Sequence, residues 1–232
     1  MKLDQKITIV LGGTGGVGEG IVRALLQEGA LVIVPSRNQI KLNRLKDYVA
    51  DIKTGELMLH LGSVNEPESA NHLSDFLQEN FKLIDLAVVS LGGWHQGFPL
   101  YNYPMEDWNR ILNDNLICHF LAIKTLIPLL NPQHSFYFHI NGFSAEQPYP
   151  TAGPVALTAA AQKSMILTLA EEVNRTGIKV YELILGPMKT RDRLKYGHGQ
   201  DDWYFPEEIG NYILDLVDKD QTNVVQHLLK KI

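Results

Sequence analysis

Cysteine is close to absent: Cys118 is the only one in 232 residues. A lone thiol cannot close an internal disulfide, which excludes a disulfide scaffold and fits a reducing compartment. It sits in the apolar run "LICHFLAI", where a buried filler is a better reading than a reactive thiol. Long hydrophobic runs are missing as well, and none approaches the roughly 18 residues that a membrane span needs. The opening "MKLDQKITIV" has no apolar core and no small-residue cleavage site, so a soluble, cytoplasmic protein without a signal peptide is expected. There is no basic block either. The net charge is −5, and "LKKI" at the end is too short for a nucleic-acid arm, so neither nucleic acid nor membrane is expected as a partner. Metal-site spacing is also lacking: His134 and His139 bracket a strand at odd spacing and face opposite ways.

Apolar residues, by contrast, make up 45% of the chain, enough for a sizeable core. Short apolar runs alternate with amphipathic stretches from end to end. "KITIVLG", "ALVIVPSR", "ELMLHLG", "IDLAVVSL", "SFYFHING", "IKVYELILG" and "NVVQHLL" read as seven strands. Helices are expected over "GVGEGIVRALLQEG", "QIKLNRLKDYVADI", "EPESANHLSDFLQENF", residues 105–130 as one helix, 154–176, and "PEEIGNYILDLVDK". Strands apolar on both faces and separated by helices indicate a mainly parallel sheet covered on both sides. The expectation is therefore a single-domain, doubly wound α/β (Rossmann) fold over residues 1–232. The Gly/Pro-rich interruptions at 92–104, 142–154 and 186–206 all follow strands, where such sheets bind ligands.

"VLGGTGGVGEG" lies between the first strand and the first helix. Its glycines permit positive φ and let backbone N–H groups approach a pyrophosphate at a helix N-terminus. Two spacings fit, Gly13-x-Gly15-x-x-Gly18 and Gly12-x-x-x-Gly16-x-Gly18. The strand–glycine–helix context makes a dinucleotide site a better reading than a bare tight turn. The second strand then ends in "VPSRN". It offers no carboxylate for a ribose 2′-OH; it offers Ser36, Arg37 and Asn38. A guanidinium there forks onto a 2′-phosphate, so NADP(H) is expected in preference to NAD(H).

With these motifs the chain resembles the short-chain dehydrogenase/reductase family over essentially its whole length. "LGGTGGVG" is similar to the family's TGxxxGxG loop, with Leu11 where threonine is usual; the match implies that Gly12, Thr14, Gly15, Gly16, Val17 and Gly18 meet the cofactor. "GSVNEPES" resembles the segment after strand three and implies cofactor contacts from Ser63 and Val64, with Ser63 where an adenine-contacting aspartate is usual. "VSLG" stands where the family has NNAG and implies Gly92. "GPMKTR" is similar to the PGxxxT segment and implies Gly186, with Met188 and Thr190 flanking the nicotinamide. "DNLICHFLAIKTLIPLL" resembles the fourth helix and places Asn115 on the catalytic asparagine. The resemblance further implies a homodimer or homotetramer through the helices at 104–131 and 154–176, where "VALTAAAQKSM" supplies small residues.

The same alignment leaves three catalytic positions without their groups: Gly142 falls on the serine, Val155 on the tyrosine and Ala159 on the lysine of YxxxK. Reduction of a carbonyl needs a proton on oxygen, and valine has none to give. Tyr149 in the loop after strand five is a candidate substitute, as are His95 in "GGWHQG" and Lys163 one turn beyond Ala159, though surface packing or solvation describes each more simply. Two functions are expected. One is an NADP(H)-dependent oxidoreductase of a small carbonyl or alcohol with an altered proton donor; the other is a non-catalytic NADP(H)-binding sensor or regulatory protein.

Overall fold

The computed structural model describes residues 3–219 and 221–231. All seven expected strands form: β1 (Ile7–Leu11), β2 (Leu31–Ser36), β3 (Glu56–Leu61), β4 (Leu86–Val89), β5 (Ser135–Gly142), β6 (Ile178–Leu185) and β7 (Val225–Leu228). They make one sheet in the order β3-β2-β1-β4-β5-β6-β7, and every strand pairing is parallel. The central strands are buried on both faces, as their unbroken apolar runs require. Within β1, Val10 packs into the core on one side of the sheet while Ile9 and Leu11 pack into the core on the other. The first core takes its helical residues from α1 (Gly18–Gln27), α2 (Gln39–Tyr48) and α8 (Pro206–Asp218); the second takes them from α3 (Pro67–Asn80), α5 (Cys118–Leu126) and α6 (Gly153–Glu172). Among the described residues no helix is long and apolar enough to cross a membrane.

Two stretches differ from the sequence expectation. Residues 105–130 are not one helix: α4 (Met105–Leu112) and α5 are joined by a π-helical turn, Asn113–Ile117, and a 3₁₀ turn closes the segment at Ile127–Leu129. Pro128 lacks an N–H and so marks the end of regular hydrogen bonding. The π turn carries Asn115, whose side chain is tied to another loop, and single π turns commonly serve to aim a residue in this way. The second difference is a short helix inside 189–205, α7 (Arg191–Lys195), started by the Thr190 hydroxyl accepting from Arg193 N.

The core also holds an uncommon polar group. His139 on β5 and Glu182 on β6 are register partners, with Nδ1 and Oε2 2.5 Å apart. His139 Nε2 lies 2.8 Å from His119 Nδ1 on α5. The three side chains are fully buried, and Asn141 Nδ2 donates to Glu182 Oε1 and to the Ala159 carbonyl. Burial, and then the neighbouring His139, hold the His119 pKa well below the usual histidine range. A histidine kept neutral when folded but free to protonate when unfolded contributes stability that is complete above about pH 6.5 and lost as pH falls. Urea unfolding at a series of pH values is therefore expected to show the wild type losing up to about 1.4 kcal/mol per pH unit more steeply than His119→Gln below pH ~6.5. Equal slopes would contradict this assignment.

Candidate active site

The chain builds outward in both directions from β1 and β4, so the loops beyond their carboxyl ends part and leave a crevice. The β1 end is shaped by backbone contact. Gly12 has φ +79°, in the left-handed region, and a Cβ there would stand 2.0 Å from the Ser90 carbonyl oxygen just beyond β4. A Cβ on Gly18 would stand 2.2 Å from the Gly12 carbonyl oxygen. Only glycine fits either place, and together they draw the start of α1 tightly onto the loop. Gly15 faces the opening instead. The α1 N-terminus behind it carries a partial positive charge, and Glu19 N already donates to the Gly15 carbonyl at 2.9 Å. This cradle fits a pyrophosphate, so the residues present suit a dinucleotide cofactor.

Two adjoining clefts share Gly15, Gly92 and Asn115 in their linings. The first, of 510 Å³, is lined by Gly12, Thr14, Ser36, Arg37, Asn38, Ser63 and Val64 among others. Thr14 Oγ1 donates to Ser36 Oγ at 3.4 Å, which in turn accepts from Asn38 N at 3.3 Å, pinning the end of β2 over the glycine loop. Arg37 is exposed and makes no ion pair among the described residues. Asn38 lines the cleft as well, and its side-chain Oδ1 caps α2 by accepting from Lys41 N at 3.0 Å. Ser63 bonds to Asn65 and Ser69. Cys118 also lines this cleft, but its thiol donates to the Asp114 carbonyl and burial pushes it up to about 12, so it is an inert filler.

The second cleft, of 670 Å³, receives Gly16, Val17, Tyr149, Gly186, Met188 and Thr190. Gly18 alone of the expected cofactor residues lines neither cleft, because its place is taken by the close contact with Gly12. Gly186 owes its identity partly to packing: a Cβ would lie 1.9 Å from the Leu229 carbonyl oxygen. Arg191 forks onto Glu19 at 2.6 and 2.5 Å and lies 4.0 Å over the Tyr48 ring, which fastens α7 against α1 and sets Thr190 against Gly16. The hydrogen bond to Glu19 raises the Arg191 pKa further.

The wall beside this cleft carries the three empty positions. Gly142, Val155 and Ala159 all line it, with Val155 and Ala159 nearly buried. Asn115 spends its amide on Gly93, Oδ1 accepting from Gly93 N at 3.0 Å and Nδ2 donating to Gly93 O at 2.9 Å, while Gln162 donates to the Asn115 carbonyl. Of the substitute candidates, Tyr149 lines the cleft with its ring edge-on to Trp94 and Phe143. His95 lines the first cleft but meets the Tyr103 hydroxyl at 2.5 Å and stands 3.9 Å from Asp107. Lys163 is neither solvated alone nor turned to the cleft; it pairs with Glu146 at 2.5 Å. His134 is exposed and His139 buried, in keeping with their opposite faces. Among the described residues no group of three or more His, Cys, Asp or Glu is placed to hold a metal ion. Sequence reasoning missed Trp94, Phe143, Ser144 and Trp203, which also line the second cleft; they lie on three separate loops, and no local spacing links them.

Comparison with known proteins fits this geometry. A family model described as enoyl-(acyl carrier protein) reductase matches residues 12–222. An uncharacterised oxidoreductase of Staphylococcus epidermidis is 24% identical over 196 residues, covering 82% of this chain and 80% of that protein. A bovine dehydrogenase/reductase, member 4 of the short-chain family, is 28% identical over 192 residues, 81% of this chain and 67% of the relative. Among solved structures, a short-chain dehydrogenase/reductase from Serratia marcescens superposes with TM-score 0.84 at 21% identity, covering 99% of this chain and 97% of the other. A metagenomic short-chain oxidoreductase in complex with NADP superposes with TM-score 0.82 at 16% identity, covering 100% and 98%.

The two glycine environments predict opposite responses. A Cβ on Gly142 meets only Ser144 Oγ at 3.6 Å, so Gly142→Ser is expected to leave Tm within about 2 °C of the wild type. Gly18→Ala forces an overpacked contact costing about 1–3 kcal/mol, which lowers Tm by roughly 2–12 °C in a chain of this length. Differential scanning calorimetry of both variants checks the pair; a stable Gly18→Ala would refute the close contact.

Proposed function

The chain belongs to the short-chain dehydrogenase/reductase family, and from that premise we propose that it is an NADP(H)-dependent oxidoreductase of small carbonyl or alcohol compounds with an impaired proton-donor site. The observation that carries the cofactor choice is the exposed Arg37 at the end of β2, without an ion pair among the described residues, beside Ser36 and with no carboxylate in the "VPSRN" segment. A planar guanidinium suits a 2′-phosphate, whereas a ribose 2′-OH is better met by a carboxylate. In this reading the glycine loop and the α1 N-terminus hold the pyrophosphate, Ser63 and Val64 lie on the adenine side, and Met188 and Thr190 flank the nicotinamide. The bound cofactor would supply a hydride.

The chain's own contribution to proton transfer is small. Val155 and Ala159 cannot donate or tune a proton, and the Asn115 amide is committed to Gly93. Loss of a positioned acid lowers rates by about 10²–10⁴, so turnover of ordinary ketones is expected to be slow. That same arrangement favours the second reading, a protein that binds NADP(H) and reports it without turnover. A homodimer or homotetramer is also proposed, supported by the exposed Ile117 and Phe120 on one helical segment and Leu157 and Leu167 on α6. The single thiol supports a reducing, cytoplasmic location.

NADPH oxidation followed over a panel of carbonyl compounds separates the two readings, with a thermal-shift titration run in parallel. Substrate-dependent oxidation supports the enzyme; stabilisation by NADPH with no turnover supports the sensor. Arg37→Ala is expected to weaken NADPH binding about 10–100-fold, the value of roughly 1.5–3 kcal/mol for hydrogen bonds to a charged group. NADH binding should stay within about twofold by calorimetry. Equal losses for both would remove the 2′-phosphate assignment.

A further inference from the structure

The lining of the second cleft narrows the class of acceptor. Trp94 is 51% exposed although it stands at a cleft wall, and its ring meets Tyr149 edge-on at 4.8 Å. Tyr149 in turn meets Phe143 at 5.3 Å, so three aromatic rings run along one side. Trp203 lines the cleft too, with the Arg193 guanidinium 5.6 Å from its ring. Val155, Ala159, Leu185 and Met188 add apolar surface. Among the described residues the only charged side chains in the lining are Asp192 and Arg193, which are of opposite sign. No described histidine, lysine, cysteine or glutamate contributes to it; hydroxyls come from Tyr149, Ser144 and the other serine and threonine residues of the lining. Aromatic faces bind flat π-systems by offset stacking, and a wall without net charge favours an uncharged ligand over an anion.

We propose that this cleft takes flat, uncharged, conjugated diones of the quinone class in preference to saturated ketones. The proposal rests on the NADP(H) reading above and assigns a substrate class to the same site. The missing acid is its second ground. A saturated ketone that accepts hydride at carbon becomes an alkoxide, and the conjugate acid of a simple oxyanion lies near that of water, ~15.7. Such an anion needs a proton donor in the transition state. A para-quinone spreads the incoming electron pair over its ring and becomes a phenolate, whose conjugate acid resembles a tyrosine side chain at ~10. The quinone takes up hydride from NADPH, which is oxidised to NADP⁺ as its C4–H bond breaks. One quinone oxygen gains that hydrogen, the ring becomes aromatic, and the other oxygen takes a proton from water. A site built of Val155, Ala159 and Gly142 can serve this reaction and serves ketone reduction poorly.

Calorimetric titration with menadione, a two-ring quinone, tests the assignment, with and without saturating NADP⁺. The expected result is saturable binding of menadione to the NADP⁺-loaded protein, at least tenfold tighter than that of cyclohexanone. Trp94→Ala should weaken menadione at least fivefold, and Trp94→Phe should restore most of the loss. Since Trp94 is half exposed, its replacement need not disturb folding, and circular dichroism checks that. NADPH oxidation should run at least a hundredfold faster in kcat/KM with menadione than with cyclohexanone. Failure of NADP⁺ to bind would sink the cofactor reading, and the menadione heats measured without it would still decide this one. Normal NADP⁺ affinity with no menadione binding, equal affinity for both probes, or indifference to Trp94→Ala overturns the quinone assignment alone.

Discussion

The close backbone contact among Gly12, Gly18 and the Ser90 carbonyl fixes the rest of the site. It brings the ends of β1 and β4 and the start of α1 to within the distance only hydrogen side chains allow. The glycine loop is thereby held between the two clefts, and Gly15 lines both. Everything that lines those clefts is then hung from this centre. Thr14 and Ser36 tie the end of β2 to the loop, Arg191 and Glu19 fasten α7 to α1, and Asn115 clamps Gly93 from the π turn. Side-chain atoms could not replace these contacts without moving the strands apart, and dense packing leaves little room for that.

Against this well-formed binding geometry, the chemistry of the second cleft is sparse. The positions where the resemblance implies a serine, a tyrosine and a lysine hold Gly142, Val155 and Ala159. Val155 packs with Ile111 and Ala152, so hydrocarbon fills this wall. Three of the neighbouring polar side chains are turned to structural tasks. Asn141 bonds to Glu182 and to the Ala159 carbonyl, Gln162 to the Asn115 carbonyl, and Thr158 to the Val155 carbonyl. In the proposed reading such a site binds and orients a redox pair and leaves proton delivery to water, which favours acceptors with conjugated rings.

Local pattern carried most of the fold. The seven strands were legible because buried parallel strands are continuous apolar runs, and the tight glycine loop because its strand–glycine–helix context is local in sequence. What escaped depended on distant partners. The His119–His139–Glu182 group arises from β5–β6 register and from an α5 side chain, which no single stretch displays. The break at Asn113–Ile117 follows from the Asn115–Gly93 contact across 22 residues. The cap that Asn38 places on α2 was not singled out because a helix cap and a ligand contact ask for the same residue type at the same place. The packing of Gly18 on Gly12 was not legible because motif spacing does not distinguish a glycine that faces a phosphate from one that lets a helix approach. The aromatic lining was missed because Trp94, Phe143 and Trp203 come from separate loops.

A dinucleotide cradle is proposed to face a wall in which Gly142, Val155 and Ala159 fill the places of the family's serine, tyrosine and lysine. A crystal structure of the protein with NADP⁺ bound tests it most directly. The phosphates are expected against Gly15 and the α1 N-terminus, with Val155 and Ala159 facing the nicotinamide and no ionisable side chain within hydrogen-bonding reach of its reactive carbon's open face. Tyr149 or His95 swung into that space, or phosphates bound away from the glycine loop, would contradict it.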